Sequence, residues 1–249
     1  MTFTFKLRMN LVIDIGNTQV KAAVFELDTI REQIVFDEIH FLEEIQEIIK
    51  KHKISHCILS SVKETKQEYI ELLQEINFFI QLNSTTKVPF RNLYSTPNTL
   101  GIDRIALVVA AVSQFPQNNT LIIDAGTCIT YDFVNSNNEY LGGAISPGIH
   151  IRYKSLHNYT SKLPELSKTE DYFLIGKSTS ESIHSGVING VINEINGVIN
   201  QYQDDFRHLT VVLTGGDTKF LSKQLKNSIF ANQNFLLLGL NKILTFNNQ

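Results

Sequence analysis

One phrase occurs twice in this chain and constrains its fold more than any other feature. Leu11-Val12-Ile13-Asp14-Ile15-Gly16-Asn17-Thr18 comes first, and Leu121-Ile122-Ile123-Asp124-Ala125-Gly126-Thr127-Cys128 repeats it, with the aspartates 110 positions apart. Each copy is an apolar strand-like run, then an aspartate, then a glycine turn. A carboxylate delivered by a buried strand to a tight turn is a way to aim charge at a metal-bound phosphate. Two such strands facing one cleft would make a nucleotide site. A pair of β-turns with solvated aspartates is the simpler alternative for either copy alone.

The pattern around the two copies is α/β, built twice. Residues 11–16 and 20–27 predict a hairpin about Gly16-Asn17-Thr18, and residues 34–39 a third strand. Phe41 to Lys51 predicts a helix with Phe41, Leu42, Ile45, Ile48 and Ile49 on one face. Ile54 to Val62 reads as a strand, Gln67 to Ile76 as a helix, Phe78 to Leu82 as a short strand, and Gly101 to Phe115 as an apolar helix. Pro116-Gln117-Asn118-Asn119 marks the expected boundary, giving domains 1–116 and 117–249. In the second half, Thr120 to Thr130 predicts a strand whose partner starts at Tyr131. Asn135-Ser136-Asn137-Asn138 predicts a turn, Glu139 to Ile145 a return strand, and 149–158 a helix. Residues 160–177 read as irregular. Ser180 to about Phe206 predicts a long helix with Ile183, Val187, Val191, Ile195, Ile199 and Tyr202 on one stripe. Leu209 to Leu213 reads as a strand, 218–226 as a helix, and the tail as mixed. Strands first, then alternating helix and strand, is an α/β plan.

Composition excludes several classes. A chain of 249 residues, 43% hydrophobic and 19% charged, is that of an ordered globule with room for a sizeable core. A net charge of -3 gives no electrostatic case for nucleic acid or a membrane surface. No apolar run approaches the roughly 20 residues that span a bilayer. Cys57 and Cys128 make no disulfide framework, and both are expected as reduced, buried, inert thiols. His40, His52, His56, His150, His157, His184 and His208 show no ligand spacing. The expected location is the cytoplasm. The first eight residues are too short and too weakly apolar for a signal peptide. Met9 reads either as the natural start, with those residues an upstream extension, or as part of a longer first strand.

The chemistry-bearing residues cluster at turns. Gly16 lets backbone come close to a ligand. Asn17, Thr18 and neighbouring amides can donate to phosphate oxygens, and Lys21 adds a point charge. The spacing is neither a Walker A loop nor Gly-x-Gly-x-x-Gly. Asp124 can hold a cation, and Thr127 can bond a phosphate. In Gly101-Ile102-Asp103-Arg104, Asp103 reads as a helix cap or as a base for an attacking hydroxyl, and spacing alone favours the cap. Arg104 could clamp a carboxylate. Gly142 to Gly148 and Thr214-Gly215-Gly216-Asp217 are glycine-dense turns after strands.

Together these motifs resemble the type III pantothenate kinases, of the acetate and sugar kinase, heat-shock chaperone and actin superfamily. The match runs in order along nearly the whole chain: Asp-x-Gly-Asn-Thr at 14–18, Gly-x-Asp-Arg at 101–104, Asp-x-Gly-Thr at 124–127 and Gly-Gly-x-Ile-x-Pro-Gly at 142–148. Gly-Lys-Ser-Thr at 176–179 and Thr-Gly-Gly at 214–216 also fit. The resemblance implies two ribonuclease-H-like (actin-like ATPase) domains with a cleft between them, and phosphorylation of pantothenate by ATP, the first step towards coenzyme A. By motif position it implies Asp103 as proton acceptor. Asp14, Ile15, Gly16, Asn17, Thr18, Gln19, Val20 and Lys21 would hold the phosphates and magnesium, and Thr127 would contact ATP. Asp124 would bind a monovalent cation, potassium or ammonium. Tyr94, Gly101, Ile102, Asp103, Arg104 and Thr179 would form the pantothenate pocket. It also implies a homodimer, with the 180–206 helix stripe available to an interface or to intrachain burial. Cys128 departs from the family's usual alanine, and Lys177 stands where arginine is also common. A kinase or phosphatase for another small acid, or a nucleotide-binding regulator on the same fold, is the alternative.

Overall fold

The structure is a computed structural model that describes residues 9–248; the segment before Met9, on which the start-site expectation falls, lies outside the described residues. The chain forms two compact units. One runs up to Gln114 and takes up the chain again from Phe235; the other is Phe115–Asn234.

In the first unit, strand β1 (Met9–Ile15) pairs antiparallel with β2 (Val20–Glu26), and β2 with β3 (Thr29–Phe36). Helix α1 (Phe41–Lys51) then leads into β4 (Ile54–Ser61), and α2 (Gln67–Gln74) into β5 (Phe78–Gln81). Both of these strands run parallel to β1, so the five-stranded sheet has the order β3-β2-β1-β4-β5. A two-residue strand, β6 (Arg91–Asn92), and helix α3 (Ile102–Gln114) follow. Strand alternation sorts β1 by face. Leu11, Ile13 and Ile15 pack on Phe41, Ile45 and Ile48 of α1 and on Tyr69 and Leu73 of α2. Asn10, Val12 and Asp14 therefore point to the other face. Each fully buried Leu or Ile of this core contributes about 1.5–3 kcal/mol.

The second unit repeats the plan. Strands β7 (Thr120–Ala125), β8 (Cys128–Val134) and β9 (Glu139–Pro147) form an antiparallel meander. Helices α4 (Ile149–Asn158) and α5 (Thr179–Asp205) lead to β10 (Thr210–Thr214), which lies parallel to β7. The short α6 (Thr218–Leu221) precedes β11 (Phe230–Ala231). Within this unit the order β9-β8-β7-β10-β11 matches that of the first sheet, strand for strand. Three antiparallel strands flanked by two parallel ones, with helices between, is the ribonuclease-H-like arrangement, present here twice. The apolar stripe of α5 is spent within its own unit: Ile183, Val187, Val191, Ile195 and Ile199 bury against Leu121, Ile123 and Ala125.

The last helix, α7 (Phe235–Asn247), returns to the first unit and packs against α3, β1 and β4. Its Asn241 accepts a hydrogen bond of 2.8 Å from Asn10 and donates one of 2.8 Å to the Leu27 carbonyl. The boundary expected at Pro116-Gln117-Asn118-Asn119 keeps this segment with residues 117–249. Two further local differences follow from turn chemistry. The chain reverses at Gly126-Thr127, so β7 stops at Ala125 rather than running to Thr130. Cys128, expected to be buried, opens β8 beside that turn and is exposed, whereas Cys57 inside β4 is buried. Burial pushes the Cys57 thiol well up, as expected of an inert one.

Candidate active site

The first acidic turn is built by the β1–β2 hairpin. The Gly16 amide donates to the Gln19 carbonyl at 3.1 Å, which closes the turn and leaves Asn17, Thr18 and Gln19 exposed. Just before it, Asp14 lies opposite Lys21 on β2 and opposite Ser60 on β4. Asp14 is 6% exposed, and its Oδ1 is buried with no hydrogen-bond partner. Burial pushes its carboxyl up to about 6. Lys21 opposes that shift, Asp103 adds to it, and the adjacent Ser60 hydroxyl also opposes it.

That electrostatic link brings the second motif into the same site. Asp103 lies in the first turn of α3, where its Oδ1 accepts from the Arg104 amide at 2.8 Å. Asp103 is inside the helix rather than at its cap position. A Cβ at Gly101 would stand 2.4 Å from Asp103 Oδ1, so a larger residue there would push that carboxylate aside. Beside Ile102 and Asp103, the Arg104 side chain is buried, with its guanidinium 5.7 Å from the centre of the half-buried Tyr94 ring. That is cation–π distance. The first unit thus brings together Asp14, Lys21, Asp103, Arg104 and Tyr94.

Asp124, Thr127 and Thr179 belong to the second unit. Three turns meet around Asp124. The Gly126 amide donates to the Cys128 carbonyl at 2.9 Å, Gly148 to the Thr127 carbonyl at 3.1 Å, and Asp217 to the Ala125 carbonyl at 2.9 Å. Thr127 is exposed. Thr179 is the first residue of α5. Ser178 caps that helix by accepting from the Glu181 amide at 3.2 Å, while Glu181 accepts from the Lys177 amide at 2.6 Å, a variant of the capping box. Thr179 lines a cavity of about 960 Å³ together with Arg152, Lys177 and Ser182.

Comparison with known proteins decides what this site belongs to. The family model described as type III pantothenate kinase matches residues 10–201. The chain belongs to the type III pantothenate kinase family. A relative in Christiangramia forsetii, named type III pantothenate kinase, is 51% identical over 96% of this chain and 99% of its own length. Another, from Flavobacterium psychrophilum and with the same name, is 48% identical over 96% and 99%. Among solved structures, a putative Baf family transcriptional activator from Campylobacter jejuni superposes with a TM-score of 0.62 at 24% identity, covering 96% of this chain and 98% of that one. That likeness is one of fold.

Kinases of this family imply a divalent metal, and the residues fit one. Asp14 presents a hard carboxylate with an orphaned inner oxygen, and the exposed hairpin tip beside it supplies amides for phosphate. Among the described residues no group of three or more His, Cys, Asp or Glu side chains is arranged to hold a metal. Magnesium in kinases binds through one or two carboxylates plus substrate phosphates and waters. At the second turn an oxygen donor set, the Asp124 carboxylate beside the Ala125 carbonyl, suits a hard cation in the same way.

One participant escaped the sequence reading. In sequence Ser60 is only one residue of the strand read at Ile54 to Val62. It sits in the run Cys57-Ile58-Leu59-Ser60, and only the parallel β1–β4 register sets it opposite Asp14.

Proposed function

We propose that this protein transfers the γ-phosphoryl group of ATP to the primary hydroxyl of pantothenate, giving 4'-phosphopantothenate, the first step of coenzyme A synthesis. The observation that carries the mechanism is the coupling of two carboxylates in one unit: Asp14 at the end of β1 and Asp103 at the start of α3, with Lys21 and Arg104 as their basic neighbours. Membership of the family supports the substrate.

In this reading Asp103 accepts the proton of the attacking hydroxyl. Phosphoryl transfer needs positioning more than a strong base, so a carboxylate suffices. Arg104, held against Tyr94, takes the pantothenate carboxylate as a fork. Gly101 and Ile102 set the floor of that pocket, and Thr179 is assigned a pantothenate-binding role by its motif position. The run Asp14-Ile15-Gly16-Asn17-Thr18-Gln19-Val20-Lys21 cradles the phosphates by backbone amides, short polar side chains and the Lys21 charge. Magnesium, when bound, spreads the phosphate charge. Asp124 holds the monovalent cation, and Thr127 touches the nucleotide. No helix among the described residues is long and apolar enough to cross a membrane. We place the enzyme in the cytoplasm as a homodimer; the α5 stripe is already occupied within its unit, so the interface uses another surface.

The test is coupled detection of ADP with pantothenate against a panel of sugars and acetate. Turnover with pantothenate alone is expected. Asp103→Asn is expected to abolish turnover while MgADP still binds; unchanged turnover would remove Asp103 from the base role.

A further inference from the structure

Asp14 Oδ1 and Ser60 Oγ are both buried without a hydrogen-bond partner, and their residues face each other across two strands. They occupy opposed positions of the parallel β1–β4 ladder, where neighbouring strands lie about 4.8 Å apart, so both side chains leave the sheet on the same face. Ser60 is 0% exposed, and Cys57, Ile58 and Leu59 before it are equally buried. The neighbouring Ser61 is spent differently, its hydroxyl donating to the Lys63 carbonyl at 2.8 Å in a local turn.

A buried hydroxyl without a partner is costly, and an alanine at position 60 would avoid the cost. A serine hydroxyl rotates freely to suit an acceptor. The acceptor within its reach is the inner oxygen of Asp14. Lys21 and Asp103, the charged groups acting on Asp14, leave that oxygen unbonded.

We infer that Ser60 is a positioning residue for Asp14: its hydroxyl donates to the inner carboxylate oxygen and so fixes which edge of Asp14 faces the phosphate-bound ligand. This rests on the kinase reading above. Without that donor the carboxylate is free to turn about its terminal torsion, whose well is broad. Placement of a charged group then loosens, and binding that depends on it weakens.

The experiment compares wild type with Ser60→Ala and Ser60→Thr. It measures MgADP binding by titration calorimetry, thermal unfolding, and the KM values for MgATP and for pantothenate. Ser60→Ala is expected to bind MgADP roughly tenfold more weakly and to raise the KM for MgATP in step, the size of one hydrogen bond to a charged group. Its KM for pantothenate stays within twofold of wild type. Ser60→Thr, which keeps the hydroxyl, recovers most of the binding. MgADP binding unchanged in Ser60→Ala overturns the inference. So does a Ser60→Thr protein that melts like wild type yet binds as weakly as the alanine variant. Should the alanine variant fail to fold, Ser60→Cys, similar in size and a weaker donor, decides by the same binding ratio. The kinase reading fails separately, if wild type does not turn over pantothenate, because the MgADP comparison needs no acceptor.

Discussion

Gly215 adopts φ of +95° and brings its backbone so close to Asp124 that an added Cβ would stand 2.3 Å from the carboxylate Oδ1 and 2.4 Å from the Ala125 carbonyl oxygen. Glycine is required there twice, for the left-handed backbone and for the space. The turn after β10 thus forms one wall around the second aspartate. Gly215→Ala is expected to cost about 1–3 kcal/mol from backbone strain, and more from the contact. It should also blunt activation by potassium. Gly216→Ala is the control, since nothing lies within 4 Å of its added Cβ. A differential melting and potassium-activation series on the two variants checks this. Equal behaviour would remove the packing argument.

Asp14 sets an opposite relation between stability and function. Its folded carboxyl is raised from 3.8 to about 6, chiefly by burial. A raised acid favours the folded state while protonated. The penalty is absent below about pH 3.8, grows through the interval, and is complete above about pH 6. A shift of about two units amounts to about 3 kcal/mol, an order-of-magnitude figure. Asp14→Asn is therefore expected to melt several degrees higher than wild type without ligand at pH 7.5, to lose that advantage near pH 4, and to have no turnover. A gain of the same size at both pH values would contradict the assigned cause.

Much of this was legible in the sequence, for reasons that particular residues make plain. Period-2 and period-3.6 patterns placed α1, β4, α2 and α5 within a few residues, because each has one buried face. The repeated aspartate turns announced both sheets. The β7–β8 reversal was misplaced because Cys128, Ile129 and Thr130 have strand propensity and continue the apolar run, while the turn needs only Gly126-Thr127. α7 was missed because Phe235-Leu236-Leu237-Leu238-Gly239-Leu240 is apolar on every side and shows no amphipathic period. Ser60 was invisible because its meaning lies in a neighbour 46 positions away in sequence, Asp14, which only the parallel register supplies.

Arg104 offers a test of acceptor recognition. Its guanidinium is buried 5.7 Å from the centre of the Tyr94 ring, and a planar guanidinium fork there can bind a carboxylate bidentately where an ammonium cannot. Arg104→Lys keeps the charge, yet it is expected to raise the KM for pantothenate at least tenfold with little change in that for MgATP. Tyr94→Leu, which keeps bulk and removes the ring face, should give a smaller rise in the same constant, about three- to fivefold for a desolvated cation–π contact. Steady-state kinetics with each substrate varied separately reads the split. A rise in the MgATP constant instead would move Arg104 to the nucleotide side.

The helix that the sequence leaves undefined packs on α3 through one very close approach. Gly239 of α7 lies against α3 so tightly that a Cβ would meet the Ala106 carbonyl oxygen at 1.9 Å and the Ala110 Cβ at 3.3 Å. In an isolated helix, alanine is better than glycine by about 0.8–1 kcal/mol, so propensity alone predicts that Gly239→Ala stabilises. The contact reverses the sign. The carbonyl is backbone of a buried helix and cannot swing aside as a flexible side chain would. The two helices must move apart, opening a core of Leu107, Ala110, Leu240 and Leu244. A net loss of about 2–4 kcal/mol is expected, as for overpacking or cavity formation in a core. Gly197→Ala on α5, with nothing within 4 Å, is expected to gain most of the propensity term. Urea titrations of the two variants should move in opposite directions. Because α3 carries Asp103 and Arg104 in its first turn, Gly239→Ala should also lower kcat, although Gly239 is not itself one of the proposed site residues.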